Sequence, residues 1–92
     1  MKNPWKEGVI GITDKDGNTT GVWYQAKVYD TPSEFGINGG RISKLELRVG
    51  RRFRSRGISN GTVVARYDRG WDIEPMTDAA RAALEILLFS YK

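Results

Sequence analysis

The 92-residue sequence contains neither cysteine nor histidine. Disulfides, Ser-His-Asp and Cys-His catalytic groups and zinc sites built on these residues are therefore excluded. Carboxylates for acid–base chemistry could come from Asp68, Asp72 and Glu74, but nothing in the sequence raises the pKa of one above another. We expect a non-catalytic protein that uses no metal and no cofactor.

Long hydrophobic runs are also missing. No stretch approaches the roughly 20 apolar residues of a membrane helix, and the N-terminus lacks the apolar core of a signal peptide. We therefore expect a soluble cytoplasmic protein with one domain over residues 1–92. Three Trp, four Tyr and three Phe supply apolar area for a small core. Association into a homo-oligomer would add to that core, and we keep it as an expectation.

Charge is concentrated in one segment of the chain. The net charge is +4 at pH 7. Residues 41–56 hold seven cations against the single Glu46, whereas the rest of the chain has eight cations and ten anions. The seven cations are Arg41, Lys44, Arg48, Arg51, Arg52, Arg54 and Arg56. This asymmetry predicts an anionic partner.

The first two-thirds of the chain have the pattern of an antiparallel sheet. Residues 8–13 are rich in β-branched side chains, and the Asp-Gly pair in residues 14–18 favours a hairpin turn. Residues 21–29 then alternate, with an apolar face and a mixed aromatic and polar face. Residues 41–49 and 62–67 form a second predicted pair of strands, joined through Asn60-Gly61. We predict a four-stranded meander within residues 8–67.

One helix is predicted, over residues 77–92. Thr77 can act as its N-cap, and Asp78 complements the positive end of the helix dipole. An apolar stripe at helical spacing comprises Ala80, Leu84, Leu87, Leu88 and Tyr91. The order β-β-β-β-α predicts an α+β fold in which this C-terminal helix covers the sheet.

Two short segments are candidate ligand sites. Residues 36–41 read GINGGR, and Gly-rich turns next to an arginine can bind phosphate through backbone N–H groups and a guanidinium. Residues 67–72 read YDRGWD and offer a ring to stack on, a cation and an acceptor. Both segments also have a structural explanation, as a turn with Phe35 in the core and as core aromatics with Arg69 paired to an aspartate. The candidate ligand-binding residues are Asn38, Gly39, Gly40, Arg41, Arg69, Trp71 and Asp72.

The hairpin arm, residues 48–61, is the third candidate. Residues 48–56 hold five arginines, which favour bidentate contacts with phosphates or carboxylates, and one aromatic ring suited to base stacking. The predicted contacts to nucleic acid or an acidic partner are Arg48, Arg51, Arg52, Phe53, Arg54 and Arg56. The alternative is a solvated loop that keeps the protein soluble. Hairpin pairing would bring residues 41 and 67–69 to one end of the sheet and the Arg-rich tip to the other.

Four segments resemble a known family. Residues 34–45 (EFGINGGRISKL), residues 67–75 (YDRGWDIEP), residues 26–30 (AKVYD) and the closing helix are similar to a family of small uncharacterised proteins, a domain of unknown function carried by phages and mobile elements of Gram-positive bacteria. Relatives have a shorter hairpin than the Gly50–Gly61 arm of this chain. The resemblance implies a phage accessory role in the cytoplasm of the host cell, often inhibition of host defence, and it assigns no catalytic residue.

Two functions fit these observations. One is a non-catalytic anti-defence protein that binds an anionic, phosphate-bearing ligand, either a nucleotide signal of host immunity or nucleic acid. The other is a protein–protein inhibitor of a host defence enzyme, docking through the Arg-rich arm or a sheet edge.

Overall fold

The computed structural model describes residues 3–50 and 62–92, and within them the chain forms one five-stranded sheet and one α-helix. The strands are β1 (Trp5–Thr13), β2 (Thr19–Val28), β3 (Ile42–Val49), β4 (Thr62–Asp68) and β5 (Trp71–Ile73), and the helix is α1 (Asp78–Ser90). Each strand pairs antiparallel with the next, in the order β1-β2-β3-β4-β5. The predicted α+β meander with a C-terminal helix is therefore confirmed.

The first hairpin turns at the Asp-Gly pair, as predicted. The N–H of Asp14 donates to the carbonyl of Asn18 at 2.9 Å, and Gly17 has a φ of 85°. The Asp14 carboxylate accepts the N–H groups of Asp16 and Asn18. This side chain therefore stabilises the turn that sets the register of β1 and β2.

The prediction of four strands is wrong, because the chain reverses once more after β4. Arg69 adopts a left-handed backbone with a φ of 57°, and Trp71 on β5 then pairs with Tyr67 on β4. A three-residue strand is too short to show a period of two, so alternation could not predict β5. The sheet consequently spans residues 5–73 instead of 8–67.

One face of the sheet, the inner face, packs against α1. Val22, Ala26 and Val28 are buried there, which confirms the apolar side of the predicted alternation. Leu45 and Leu47 of β3 lie opposite Ala26 and Tyr24 and complete the centre of the core. Ile37, in the Gly-rich loop before β3, also belongs to the core and is 2% exposed. Phe35, expected in the core, is 53% exposed, and its carbonyl accepts the hydroxyl of Tyr67 at 2.9 Å.

Helix α1 begins at its predicted cap. The N–H of Ala80 donates to the Thr77 hydroxyl at 3.0 Å, which satisfies one of the free N–H groups of the first turn. Ala80, Ala83 and Leu87 are buried, whereas Phe89 is 71% exposed. The helix is regular to Ser90, two residues short of the prediction. Within the described residues, no helix has the length and apolar character needed to cross a membrane.

The opposite face of the sheet, the outer face, lies away from α1. None of the elements in residues 3–50 and 62–92 packs over it. Side chains on this face are half-buried or exposed, among them Trp5, Lys27 and Arg66.

Candidate ligand-binding face

The strand register arranges the outer face in rows of side chains. One row crosses four strands through Trp5, Lys27, Lys44 and Asp68. The next row is Glu7, Gln25, Glu46 and Arg66, and the third is Val9, Trp23, Arg48 and Val63. Two tryptophans and four cations thus occupy one face of the sheet, where three carboxylates accompany them.

Cations on this face lie close to aromatic rings. The ammonium of Lys27 is 6.0 Å from the ring centroid of Trp5 and 5.3 Å from that of Tyr29, which follows β2. The guanidinium carbon of Arg48 is 5.7 Å from the ring centroid of Trp23. These distances fall within the range of cation–π attraction. A flat ring beside a cation is the combination that binds a nucleobase and its phosphate.

Glu46 lies between two arginines in the middle row. Its carboxylate accepts Nε of Arg48 at 2.6 Å and Nη2 of Arg66 at 3.0 Å. Partial burial raises the pKa of Glu46, but the hydrogen bonds from Arg48 and Arg66 outweigh burial and hold the pKa below its usual value. The carboxylate therefore stays ionised and orients both guanidinium groups on the outer face.

Tyr29 is held near the same cations. Hydrogen bonds with Lys27 and Ser43, together with the positive charges of Lys27 and Lys44, lower the pKa of the Tyr29 hydroxyl. Lys27 and Lys44 thus bring positive charge close to the Tyr29 hydroxyl at this end of the outer face.

The largest described cavity lies at the corner where β1 begins and β2 ends. This corner cavity has a volume of about 670 Å³. Its lining includes the rings of Trp5 and Tyr29 and the cations Lys6 and Arg41. Nε of Arg41 donates to the backbone carbonyl of Tyr29 at 2.8 Å, which holds the guanidinium next to the residue that follows β2. Aromatic walls with fixed cations suit a flat, phosphate-bearing ligand.

A smaller cavity of about 160 Å³ continues onto the outer face. Trp5 lines both cavities, and the smaller one extends past Gln25 and Lys44 to Glu46 and Arg66. Trp5 therefore lies between the corner cavity and the middle of the outer face.

The predicted ligand residues do not share one pocket. Arg41 lines the corner cavity, whereas Asn38 and Trp71 line a separate cavity of about 440 Å³ beside α1. That second cavity also has Glu74 and Glu85 in its walls. Arg81 also lines it, so its lining carries one cation and two carboxylates, whereas that of the corner cavity carries Lys6 and Arg41 with Asp30.

Backbone geometry accounts for several of the predicted ligand residues. Asn38, Gly39 and Arg69 all have a positive φ. The N–H groups of Gly39 and Gly40 donate to the carbonyls of Gly36 and Ile37 at 2.9 and 3.0 Å. These two donors of the proposed phosphate-binding turn are thus engaged inside the loop.

The remaining predicted residues are dispersed. Arg69 Nε is 3.7 Å from a carboxylate oxygen of Asp68, and its N–H donates to the carbonyl of Ser43, so residues 67–69 do lie beside the start of β3. Asp72 is exposed on β5. Arg48 lies on the outer face. The other residues predicted on the arm, Arg51, Arg52, Phe53, Arg54 and Arg56, lie outside the described residues.

A family model covers nearly the whole of this chain. The model of a domain of unknown function, DUF7678, matches residues 4–92. The chain belongs to the DUF7678 family. No curated protein and no solved structure matches it. The predicted membership of an uncharacterised domain family is therefore confirmed, and the matched region includes every residue of the candidate face in this DUF7678 chain.

Sequence reasoning missed most of the side chains that form the DUF7678 outer face. Trp5, Lys44 and Arg66 lie on three different strands, and only the register brings them together. A partial signal was present in β2, where Trp23 and Lys27 alternate with buried residues. Among residues 3–50 and 62–92, no group of three acidic side chains could hold a metal ion.

Proposed function

We propose that this protein is a non-catalytic binding protein for a phosphate-bearing ligand, and that the corner cavity is its primary site. The observation that carries the proposal is one cavity lined by Trp5, Tyr29, Lys6 and Arg41, with the ammonium of Lys27 close to both rings. The rings provide stacking surfaces, and the cations provide contacts for phosphate oxygens.

The test is direct binding of ATP, NAD, a cyclic dinucleotide and short oligonucleotides, followed by native mass spectrometry and calorimetry. Lys27→Gln removes the cation between the two rings and is expected to weaken binding of any phosphate-bearing probe about tenfold. Lys15→Gln makes the same charge change in the β1–β2 turn and serves as the control. Failure of all probes to bind would overturn the proposal. Equal losses of affinity in Lys27→Gln and Lys15→Gln would show that only net charge matters. The corner cavity would then no longer be the proposed site.

A protein inhibitor is the second candidate, supported by the outer edge of β1. None of the described strands pairs with this edge, which is nine residues long and without a bulge in its pairing to β2. The N–H of Val28 donates to the carbonyl of Pro4, so even-numbered residues bond to β2 and odd-numbered ones direct their N–H and C=O groups outward. Such an edge can accept a strand from a partner protein.

Val9→Pro tests this second candidate. Proline removes the outward N–H of Val9 without removing a hydrogen bond between β1 and β2. Capture of a defined host protein by the parent and by Val9→Ala, but not by Val9→Pro, would support strand addition. Unchanged capture by Val9→Pro would exclude the β1 edge as the contact.

The role in phage anti-defence implied by the family resemblance is part of the proposal. It predicts that expression of the protein restores phage growth in a bacterium whose defence depends on a nucleotide signal. Rescue that persists in Lys27→Gln would separate the anti-defence role from the corner cavity. No rescue in any such host would contradict the role.

A further inference from the structure

We infer that the ligand is a single-stranded nucleic acid that runs from the corner cavity across the outer face. This inference rests on the proposed function, because it starts from the same cavity. It adds a second stacking position at Trp23 and a path between the two tryptophans. The register of the described strands places both tryptophans and the row between them on the outer face.

The two tryptophans are too far apart for one base. Trp5 lies opposite Lys27, and Trp23 is four residues from Lys27 along β2. Four residues of strand span about 13 Å, and the neighbouring strand adds about 5 Å sideways. A single nucleobase cannot contact both rings, whereas successive bases of one strand can. Each ring also has its own cation, Lys27 at Trp5 and Arg48 at Trp23.

The row between the tryptophans suits the edges of bases. Glu7, Gln25 and Glu46 lie in this row, with Arg66 at its end. Carboxylate and amide oxygens accept the exocyclic amino groups of bases, and a guanidinium donates to their carbonyl and ring nitrogen acceptors. The carboxylates would repel a simple polyanion, so their presence between the stacking positions favours a ligand that brings bases as well as phosphates.

The form of the face favours a single strand over a duplex. Stacking on a protein ring requires an exposed base face, which a duplex conceals. Trp5 lines both the corner cavity and the smaller cavity that includes Lys44 and Arg66, so the two cavities meet at this residue.

The experiment compares a twelve-nucleotide oligo-dT, its oligo-rU counterpart, the matching duplex and the mononucleotides TMP and UMP. Fluorescence anisotropy or calorimetry measures the affinity of the intact protein at several salt concentrations. We expect the single strands to bind at least tenfold more tightly than the mononucleotides and the duplex. The dT and rU arms distinguish DNA from RNA as the source of the strand.

Two variants test the path. Trp23→Thr keeps a strand-forming residue and removes the ring, so oligonucleotide affinity should fall about tenfold while mononucleotide affinity stays within twofold. Arg48→Gln should reduce the slope of log affinity against log salt by about one. Phe89→Ala and Arg81→Gln, on the helix that packs against the inner face, are the matched controls. Thermal unfolding of each variant establishes that it is folded.

The outcomes separate this inference from the proposed function. Mononucleotide binding with no gain for the oligonucleotides, or Trp23→Thr without effect on them, overturns the single-strand path and leaves the corner cavity standing. Preference for the duplex also overturns it. If neither TMP, UMP nor the oligonucleotides bind but ATP, NAD or a cyclic dinucleotide does, the single-strand path fails and the proposed function stands. If none of these probes binds, the proposed function itself fails.

Discussion

On the outer face, a single carboxylate at Glu46 is shared by the guanidinium groups of Arg48 and Arg66. The side chain of Glu46 is only 20% exposed, so removing its charge leaves two cations close together in a partly desolvated place. This carboxylate both stabilises the sheet and sets the positions of the two arginines. Its effects on stability and on binding can be measured separately.

We predict that Glu46→Gln destabilises the protein by about 1 kcal/mol at pH 7. The pKa of Glu46 is lower in the folded than in the unfolded chain. Its contribution is therefore present above the unfolded pKa of about 4.3 and is lost as the pH falls through the folded pKa. Urea unfolding at pH 7 and at pH 3 measures the effect. Glu85→Gln, exposed on α1, is the control, and an equal loss of stability on acidification in the parent and Glu46→Gln would contradict the prediction.

Two tyrosines should titrate in opposite directions. Hydrogen bonds with Lys27 and Ser43 lower the pKa of Tyr29, whereas burial and the neighbouring Tyr91 raise the pKa of Tyr24. An ultraviolet titration of phenolate absorbance should show an early phase that Tyr29→Phe removes and Lys27→Gln moves to higher pH. Persistence of the early phase in Tyr29→Phe would show that another tyrosine produces it, and an unchanged midpoint in Lys27→Gln would show that Lys27 does not lower the pKa of Tyr29.

At the scale of secondary-structure elements, the Gly-rich loop before β3 is held by backbone contacts. A Cβ placed on Gly36 would lie 2.0 Å from the carbonyl oxygen of Gly40. The N–H of Ser33 also donates to that carbonyl at 3.0 Å. The glycine at position 36 is therefore required by the approach of two backbone segments, independently of any ligand.

Gly36→Ala is expected to cost about 3 kcal/mol of stability, because the loop must open to admit the methyl group. Gly11→Ala, where a Cβ would meet Thr19 Cγ2 at an ordinary 3.5 Å, should change stability by less than about 0.5 kcal/mol. Chemical denaturation of both variants gives the comparison. Similar small effects for the two would show that the loop adapts and that its glycines have another role.

Elements with a long, regular pattern were predictable from the sequence, and short or cross-strand features were not. The alternation around Val22 and Ala26 identified β2, and Thr77 marked the start of α1. Strand β5 has three residues, too few for a period to appear. We expected the first strand to begin at residue 8, because the charged Lys6 and Glu7 hide the apolar pattern before it. The strand begins at Trp5.

The candidate face depends on register, which local sequence does not contain. Trp5, Lys27 and Lys44 come from three strands and align only when the pairings are known. The expectation that one patch unites Asn38, Arg41 and Trp71 followed from hairpin ends alone, and the described cavities separate these residues. The charge distribution predicts an anionic partner, but it does not show which face of the sheet would bind that partner.

At the scale of the whole molecule, the protein has two layers, and small residues set the distance between them. Ala80 and Ala83 of α1 are fully buried against a core that includes Val22, Ala26 and Leu47. Small side chains on the helix let it lie close to the sheet. Covering the inner face in this way leaves the aromatic and charged side chains on the opposite side of the sheet for ligand contact.

We predict that Ala83→Leu destabilises the protein by about 1–3 kcal/mol, because the larger side chain forces α1 away from the sheet. Ser90→Leu adds a leucine at an exposed position of the same helix and is the control. Urea unfolding measures both variants, and a chain of this size has little stability to lose. Oligonucleotide affinity of the folded fraction of Ala83→Leu should stay within twofold of the parent, because Ala83 is buried under the inner face. Arg41 of the corner cavity donates to the carbonyl of Lys92, beyond the end of α1. A matching fall in affinity would mean that helix packing controls the geometry of the binding face.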